Sequence, residues 1–345
     1  MKAAVPSGSE WDAQTRSEVP PVYRDKLLRT NSALDQLRGL MQLRVGRILF
    51  ELGLTVGSLL AVPLLYRTVP GRLTFVVCFL LSVRTFNCFA QLVHSSDHGG
   101  LFADSRLNRV VGNLCAYCLG YTRSGHRLAH LQHHQYLNTP RDPDRIWGAP
   151  DQPTRDLLRM WLRDLLFLSA LERLLQYWQS DRKNFSVSPW KTLTVRFLVD
   201  GARSMFPVVV TQGLIFGLYA VLLGPLYYLG LYVLPILTLY PAQIRLRSTA
   251  EHSFDVGYRP VTAQDRWVSR STDARWLERF IVSPLGIHYH FEHHLFPGVP
   301  HYNLPKVRKL LVTAGFPVPV TRGYLAFVVE KMRTERQALI SRQEA

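Results

Sequence analysis

Two histidine clusters with the same pattern stand about 160 residues apart in this chain. HLQHHQYLNTPRDPD begins at His130, and YHFEHHLFP carries the second cluster from His290. On a helix, positions i, i+3 and i+4 share one face, so each H-x-x-H-H cluster directs its imidazoles to a common side. Neutral imidazole is the commonest metal ligand, so the repeated cluster indicates a metal site. The six candidate ligands are His130, His133, His134, His290, His293 and His294.

The segment HSSDH adds His94 and His98, one helical turn apart at the end of an apolar stretch. Going back along the same helix, Arg84, Asn87 and Gln91 continue a polar stripe with spacings of 3, 4, 3 and 4 residues. Polar groups within a membrane are costly and usually face the interior of a helix bundle. We therefore expect the stripe to direct both histidines into the site. Its three other members are expected either to support the ligands or to contact a polar group of the substrate.

His252 stands in RSTAEH, just after the last apolar stretch and on the same side as the other histidines, and is a further candidate ligand. Nine imidazole nitrogens are too many for one ion, but they fit two ions with four or five nitrogens each. A structural zinc site is satisfied by four ligands, whereas an open, imidazole-rich site beside a membrane suits redox iron. Residues expected to orient ligands, or to lie within reach of the metals, are Asp97, Asp142, Asp144, Glu251, His126, His288 and Asn303.

Some of these supporting residues have other plausible roles. Asp142 and Asp144 also fit a solvated turn built on the neighbouring prolines. His126 and His288 also fit hydrogen bonding or solvent exposure. His301 follows Pro300 in a predicted loop and is not expected to be a ligand.

The apolar residues are concentrated in four stretches long enough to cross a bilayer. The chain has 345 residues and is 47% hydrophobic, yet its mean hydropathy is only +0.01, because Arg-rich regions lie between these stretches. Each pair of stretches is joined by a short turn, which predicts two helical hairpins. The predicted spans are about 48–66, 73–93, 205–224 and 225–244.

The positive charge is unevenly distributed along the chain. The formal net charge is +16, and 38 of the 41 Lys and Arg residues lie outside the predicted spans and the turns within the hairpins. By the positive-inside rule, both termini and all twelve histidines should be cytoplasmic. Nucleic-acid binding is disfavoured, because the basic residues are dispersed and no nucleic-acid-binding module is visible.

These features predict an all-α integral membrane protein, a four-helix bundle made of two hairpins with a cytosolic helical cap. A cytosolic arm is expected at 1–44 and a membrane domain at 45–345, whose cap comprises 94–204 and 245–312 and whose cytosolic tail is 313–345. Within the cap, 155–178 fits an amphipathic helix at the membrane interface. Residues 107–121 are too short to span, and could dip into the membrane or pack on the bundle. The four cysteines predict no disulfide framework, and CAYC reads as buried small residues.

The pieces HSSDHGGLF, HLQHHQYLNTPRDPD, RSTAEH and YHFEHHLFPGVPHYNLP together resemble the membrane fatty acid desaturase family, over roughly residues 73–312. The resemblance implies four transmembrane helices, a cytosolic cap, two irons, dioxygen as oxidant and electrons from a separate donor. It also implies that His252 is the ninth ligand. The chain departs from the family pattern at Ser95, where box one commonly has Asp, and at His288, where relatives often have Asn.

The resemblance favours O2-dependent desaturation of an aliphatic chain, with fatty acyl lipid as the leading substrate. A hydroxylase or a carotenoid ketolase of the same superfamily is the alternative reaction. The pattern around AEH and YHFEHHLFP also resembles the branch with rhizobitoxine-type desaturases, so a small amino-acid-derived substrate stays open. A membrane metal or haem carrier is disfavoured, because the ligands gather at one membrane face. Expected partners are the lipid bilayer and a ferredoxin-like or cytochrome-type electron donor, and the expected location is the cell inner membrane.

Overall fold

The computed structural model describes residues 31–148, 152–169, 195–253 and 268–343, and this part of the chain is mostly helical. The helices are α1 Asn31–Leu40, α2 Val45–Thr68, α3 Arg72–Asp97, α4 Ser105–Cys118, α5 Arg123–Tyr136, α6 Thr154–Leu165, α7 Val195–Leu222, α8 Pro225–Glu251, α9 Trp276–Ile281, α10 His290–Leu295, α11 Leu304–Thr313 and α12 Tyr324–Gln343. Short 3₁₀ turns cover Pro143–Ile146, Pro284–Gly286 and His301–Asn303. Two strands, β1 Ser271–Thr272 and β2 Val320–Thr321, form a parallel pair, a small departure from the predicted all-helical fold.

Four of the described helices are long and apolar enough to cross a membrane: α2, α3, α7 from Ala202, and α8. They contain 24, 26, 21 and 27 residues, against about 20 needed for the hydrocarbon core. The predicted spans fall within these helices, except that α7 ends at Leu222, just before Gly224 with its φ of +103°. Both α3 and α8 continue beyond their predicted ends, carrying polar residues out of the apolar stretch and into the histidine region.

These helices expose large apolar side chains, as expected for surfaces in contact with lipid. The exposed set on the four helices includes Leu49, Phe50, Leu54, Leu60, Leu64, Leu73, Val76, Phe206, Val209, Leu214, Val221, Leu226 and Leu229. Such an outward-facing apolar surface would be unfavourable in water, and the chain is accordingly a membrane protein.

The two pairs of neighbouring helices pack as hairpins, with residues 69–71 between α2 and α3 and residues 223–224 between α7 and α8. Inside, the ring of Phe86 on α3 meets that of Tyr232 on α8 edge-on, with centroids 5.0 Å apart. A π-helical turn covers Leu229–Val233, and Ser82 donates a 2.6 Å hydrogen bond to the carbonyl of Leu231 within it. The widened turn thus fixes α8 against α3.

Helix α4 occupies the segment that was too short to span, and its C-terminal end packs on α7. Gln212 of α7 donates to the carbonyl of Tyr117 at 2.8 Å, and the hydroxyl of Tyr232 donates to the carbonyl of Cys118. Helix ends leave carbonyls without intrahelical partners. The membrane helices supply partners here, so α4 ends against the bundle.

Helix α6 covers the first part of the predicted interfacial segment, and residues 170–178 lie outside the described residues. Asp164 of α6 is buried and accepts from Arg245 of α8, with Nε and Oδ2 2.6 Å apart. The indole of Trp161 donates to the carbonyl of Ala242 at 2.9 Å. Leu158 and Leu162 remain exposed on another side of α6. One face of the helix is therefore fixed to α8 while an apolar face is left open, as an interfacial helix requires.

Both ends of the described chain pack on the histidine region. Helix α1 falls within the predicted 1–44 arm, and its Leu37 is buried against α10 and α11. Helix α12 falls within the predicted 313–345 tail, and the Tyr324 side chain at its start is fully buried. The segments at either end therefore contribute side chains near the site.

Candidate metal centre

Four elements bring nine histidines together. The C-terminal end of α3 carries His94 and leads to His98, α5 carries the first H-x-x-H-H cluster, His252 follows α8, and α10 carries the second cluster. Their ring nitrogens form two groups, in each of which the potential ligand atoms lie within 4.8 Å of one another. The first group is His94, His98, His130, His134 and His293, and the second is His133, His252, His290 and His294.

Adjacent histidines diverge into different groups. His133 and His134 are neighbours on α5, yet the first lies in the four-histidine group and the second in the five-histidine group. His293 and His294 on α10 divide in the same way. A helix rotates by about 100° per residue, so adjacent side chains point apart while those at i and i+4 stay together. Each of the two clusters therefore contributes histidines to both groups.

The Nε2 atoms of the five-histidine group form a continuous series of short contacts. His98 and His130 lie 2.7 Å apart, His130 and His134 3.1 Å, His134 and His293 3.1 Å, and His293 and His94 2.9 Å. In the four-histidine group the Nε2 contacts are 2.8 Å between His252 and His290, 2.9 Å between His290 and His294, and 3.3 Å between His294 and His133.

Hydrogen bonds alone do not explain this convergence. A neutral imidazole nitrogen is either a donor or an acceptor. Nε2 of His130 contacts two other Nε2 atoms, and so does Nε2 of His293, so these contacts cannot all be well-aligned hydrogen bonds. By contrast, two nitrogens bound at about 2.1 Å to one ion, at a right angle, lie about 3.0 Å apart. The two groups therefore fit a metal ion each.

The protonation state of the histidines agrees with this role. Burial, together with repulsion from neighbouring imidazoles, holds the pKa of five of them well below the ordinary 6.5: His130, His134, His290, His293 and His294. Burial also lowers the pKa of His98 and of His252 to about 3. These rings are neutral at pH 7, and a neutral ring offers the lone pair that a metal requires.

Asp142 contacts the outer nitrogen of His133, which is the ring nitrogen that faces away from the other histidines of its group. Its Oδ1 lies 2.9 Å from Nδ1 of His133, while Asp144 is farther from the same nitrogen, at 3.8 Å. The backbone N–H groups of Asn138 and Asp144 also donate to Asp142 and fix the carboxylate in place. Burial alone would lower the pKa of His133, but the two carboxylates outweigh it and raise that pKa to about 9. A carboxylate held in this way sets the tautomer of a histidine ligand and makes its other ring nitrogen a stronger electron-pair donor to a metal.

Glu251 plays a comparable part for the second cluster. Its Oε2 lies 3.5 Å from Nδ1 of His290 and 3.3 Å from Nε of Arg247. Its Oε1 accepts a 3.0 Å hydrogen bond from the hydroxyl of Tyr324. Tyr324 was not identified in the sequence, because it lies in the predicted tail, far from every histidine motif.

Asp97 lies outside both groups. Its Oδ2 is 2.7 Å from Nδ1 of His126, and its Oδ1 is 3.1 Å from Nε of Arg123. The ring of His126 stacks on that of His130 with centroids 5.7 Å apart, but His126 itself is not a member of either group. Among the described residues, Asp97 is thus connected to the candidate ligands through His126.

The three non-histidine residues of the polar stripe on α3 lie in three different environments. Gln91 contacts a candidate ligand, with Oε1 3.3 Å from Nδ1 of His94. Asn87 donates to Gln243 at 2.8 Å and to the carbonyl of Ile281 at 3.0 Å, so it connects α3 to α8 and α9. Arg84 stacks its guanidinium over the ring of Phe280, 4.7 Å from the centroid, and its buried Nε has no hydrogen-bond partner among the described residues.

The remaining predicted residues lie away from the two groups. His288 is buried, but it belongs to neither group among the described residues. Asn303 donates to the carbonyl of Leu40 at 2.7 Å, which fixes the end of α1. His301 is in neither group among the described residues, but it is buried and contacts Glu51 at 2.8 Å. Glu51 was not identified, although it is the one acidic residue within the predicted spans and an ionisable residue there is a functional candidate.

Comparison with known proteins agrees with this geometry. The profile described as Fatty acid desaturase matches residues 70–317, well over half of the chain. Dihydrorhizobitoxine desaturase of Bradyrhizobium elkanii is 28% identical over an alignment of 231 positions, which covers 64% of this chain. The match spans 62% of the length of that relative. All nine histidines of the two groups lie within the region matched by the profile. The chain therefore belongs to the fatty acid desaturase family of oxidoreductases.

Proposed function

We propose that this chain is a membrane-bound di-iron oxidase that uses dioxygen to desaturate an aliphatic chain, with a fatty acyl lipid as the favoured substrate. The observation that carries the proposal is the pair of converging imidazole groups next to the apolar helices, five histidines in one group and four in the other. Family membership supports the same reaction class.

The proposed architecture is a membrane bundle of α2, α3, α7 and α8 within a domain covering 45–345. Residues 94–204 and 245–312 form its cytosolic cap in this proposal, and the cell inner membrane is the proposed location. The exposed apolar side chains of the four helices support the bundle. The placement of 38 of 41 basic residues outside the spans and hairpin turns supports cytoplasmic termini and a cytoplasmic site.

Two iron ions held by the nine histidines would supply, with dioxygen, the oxidising power needed to break unactivated C–H bonds. In the overall reaction the substrate loses two hydrogen atoms and gains a carbon–carbon double bond. Those hydrogens, with two electrons from a donor and two protons from solvent, reduce dioxygen to two water molecules. The protein holds two of the rings in place, His133 through Asp142 and His94 through Gln91, and its apolar helices offer a route for a lipid chain.

The favoured electron donor is a small acidic carrier, such as a ferredoxin, although a cytochrome-type donor is also compatible. Arg106, Arg109 and Arg127 are exposed on or beside α4 and α5, the elements next to the histidine groups. Surface cations of this kind accelerate the association of an acidic partner.

A second candidate substrate is a small amino-acid-derived metabolite. The relative from Bradyrhizobium elkanii, whose name gives dihydrorhizobitoxine as the molecule it desaturates, favours this alternative. Arg84 is compatible with it, because a guanidinium with an unpaired Nε can bind a carboxylate. Arg84 would serve equally well for the polar end of a fatty acyl substrate.

The experiment that tests the proposal uses purified, iron-loaded protein with a reduced donor, dioxygen and each substrate class in separate reactions. Mass spectrometry should show fatty acyl product that has lost two hydrogens, with oxygen consumed in proportion. A product that has gained oxygen would indicate a hydroxylase or ketolase instead. Conversion of only the amino-acid-like molecule would favour the second candidate. Bound metal without any oxygen consumption would point to a carrier.

A further inference from the structure

A chain of hydrogen bonds reaches the histidine groups from α2, through residues outside the histidine clusters. Its outer part begins at Arg47, which is about half exposed and whose Nε lies 2.5 Å from Oε1 of Glu51. The carboxylate of Glu51 is 3% exposed, and its Oε2 lies 2.8 Å from Nε2 of His301. A buried carboxylate in a membrane helix is costly unless it is paired, so this pairing is the condition for keeping Glu51 there.

The inner part of this series of hydrogen bonds lies on α3. Nδ1 of His301 is 3.1 Å from the hydroxyl oxygen of Ser95, and Nε2 of Gln91 is 3.5 Å from that same oxygen. The carbonyl oxygen of Gln91 is 3.3 Å from Nδ1 of His94. Ser95 and Gln91 are four residues apart on one helix, so they share a face with each other and lie beside the candidate ligand.

When the His301 ring is neutral, the charge on Glu51 sets the direction of every hydrogen bond in this series. An ionised carboxylate only accepts, so Nε2–H of His301 must donate to Glu51 and its Nδ1 is left as an acceptor. The hydroxyl of Ser95 then donates to His301, and its oxygen is free to accept from the Gln91 amide. The carbonyl of Gln91 in turn accepts from Nδ1–H of His94. His94 is thereby left with its lone pair on Nε2, the atom that faces His293 at 2.9 Å.

We propose that Glu51 and His301 are positioning residues that fix the tautomer and orientation of His94 for metal binding in the five-histidine group. This inference rests on the proposed function, because it assigns a role toward the ions of that site. Glu51 lies outside the region matched by the family profile, which begins at residue 70. The four-histidine group is held instead by Asp142 and Glu251, so loss of the Glu51 chain should weaken one group and spare the other.

The test uses the full-length protein, purified with iron, and follows the loss of ferrous iron to an excess of a coloured chelator. In Glu51→Gln the new amide faces two donors, Arg47 and His301, and one of them must lose its acceptor. In Ser95→Ala the middle link is removed without any change of charge. In both variants, one of the two ions should leave about 10 to 100 times faster than in the wild type, while the other keeps its rate.

Two further variants distinguish a role in positioning His94 from a general effect on folding. His301→Gln keeps an amide donor for Glu51 and a carbonyl acceptor for Ser95, so it should retain iron better than His301→Phe. Asp164→Asn is the matched control, since it also removes a buried carboxylate paired with an arginine, but one whose hydrogen bonds lead to Arg245 and Ser169 and not to the nine histidines. It should release both ions at the wild-type rates. Mössbauer spectra should show that the labile ion in the chain variants belongs to a single iron environment.

The outcomes are distinguishable. A wild type that holds two irons, with Glu51→Gln and Ser95→Ala both folded and releasing iron at the wild-type rate, would overturn this inference and leave the proposed function standing. Equal acceleration for both ions would also overturn it, because the effect would then be general. A wild type that binds no iron would overturn the proposed function and this inference with it.

Discussion

Nδ1 of His133 lies 2.9 Å from a carboxylate oxygen of Asp142, while Nε2 of the same ring lies 3.3 Å from Nε2 of His294. The ring is therefore held from the outside by a carboxylate and directed inward at a neighbouring imidazole. Gln91 holds His94 in the same manner through an amide, and Glu251 approaches His290. Each group thus has at least one ligand candidate whose outer nitrogen is held by another side chain, the usual arrangement of histidines that bind metals.

Replacing Asp142 tests this arrangement directly. Asp142→Asn keeps an oxygen near His133 but removes the charge, and should weaken metal binding by the four-histidine group about 10-fold or more. Titration of the apoprotein with ferrous iron against a competing chelator measures the affinity. Asp144→Asn is the matched control, since Asp144 lies 3.8 Å from His133 and its side chain is 33% exposed. An equal loss of affinity in both variants would mean that Asp142 has no special role.

The hydrogen bond from the start of α12 should stabilise both the fold and metal binding by the four-histidine group. Tyr324→Phe leaves Glu251 without a hydrogen bond that measures 3.0 Å, and a buried acceptor that loses its partner costs about 1–3 kcal/mol. We expect a lower melting temperature and faster iron release from the four-histidine group. Tyr302→Phe is a suitable control, because it also removes a tyrosine hydroxyl, but one that accepts a hydrogen bond from the backbone N–H of Arg44 and does not donate to Glu251. Wild-type stability and iron retention in Tyr324→Phe would show that α12 only covers the site.

Two positions on the polar stripe of α3 should give opposite phenotypes. Gln91→Leu removes the acceptor for Nδ1 of His94 and should lower iron occupancy. Arg84→Leu removes a guanidinium that stacks on Phe280 and touches no candidate ligand, so iron should remain at two ions per chain. If Arg84 binds the polar end of the substrate, KM should rise about 10-fold or more, as expected when a charged hydrogen bond is lost. Unchanged KM with full iron would assign Arg84 a structural role.

Charge should steer the electron donor. Arg127 is exposed close to His98, and Arg127→Glu should raise the apparent KM for an acidic donor several-fold with little change in iron content. Turnover supported by that donor should also fall as ionic strength rises, because the Debye length shrinks from about 10 Å at 0.1 M to about 3 Å at 1 M. Donor-dependent turnover that is the same at low and high salt would argue against docking by charge.

The sequence predicts the four long helices and the histidine groups because both depend on local periodicity. Apolar stretches of about 20 residues identify spans without tertiary information. Spacings of three and four residues identify which histidines share a helix face. The divergence of His133 from His134 follows from the same geometry, as do the separate directions of His293 and His294.

What the sequence does not predict are contacts between segments distant along the chain. His301 and Glu51 are 250 residues apart, and Tyr324 and Glu251 are 73 apart. No periodicity relates such pairs, so their proximity depends on the packing of whole helices. The sequence around His301 predicts a loop and no role as a ligand. Only the folded chain shows that it instead pairs with the one carboxylate of the apolar spans.

The metal content of active protein tests the central claim most directly. Full-length protein, purified with turnover intact, should contain two iron atoms per chain by elemental mass spectrometry. Alanine at any one of the nine histidines should lower that value and abolish turnover, while the protein stays in the membrane because its spanning helices satisfy their own backbone hydrogen bonds. Active protein that contains a single zinc ion and no iron would contradict the account.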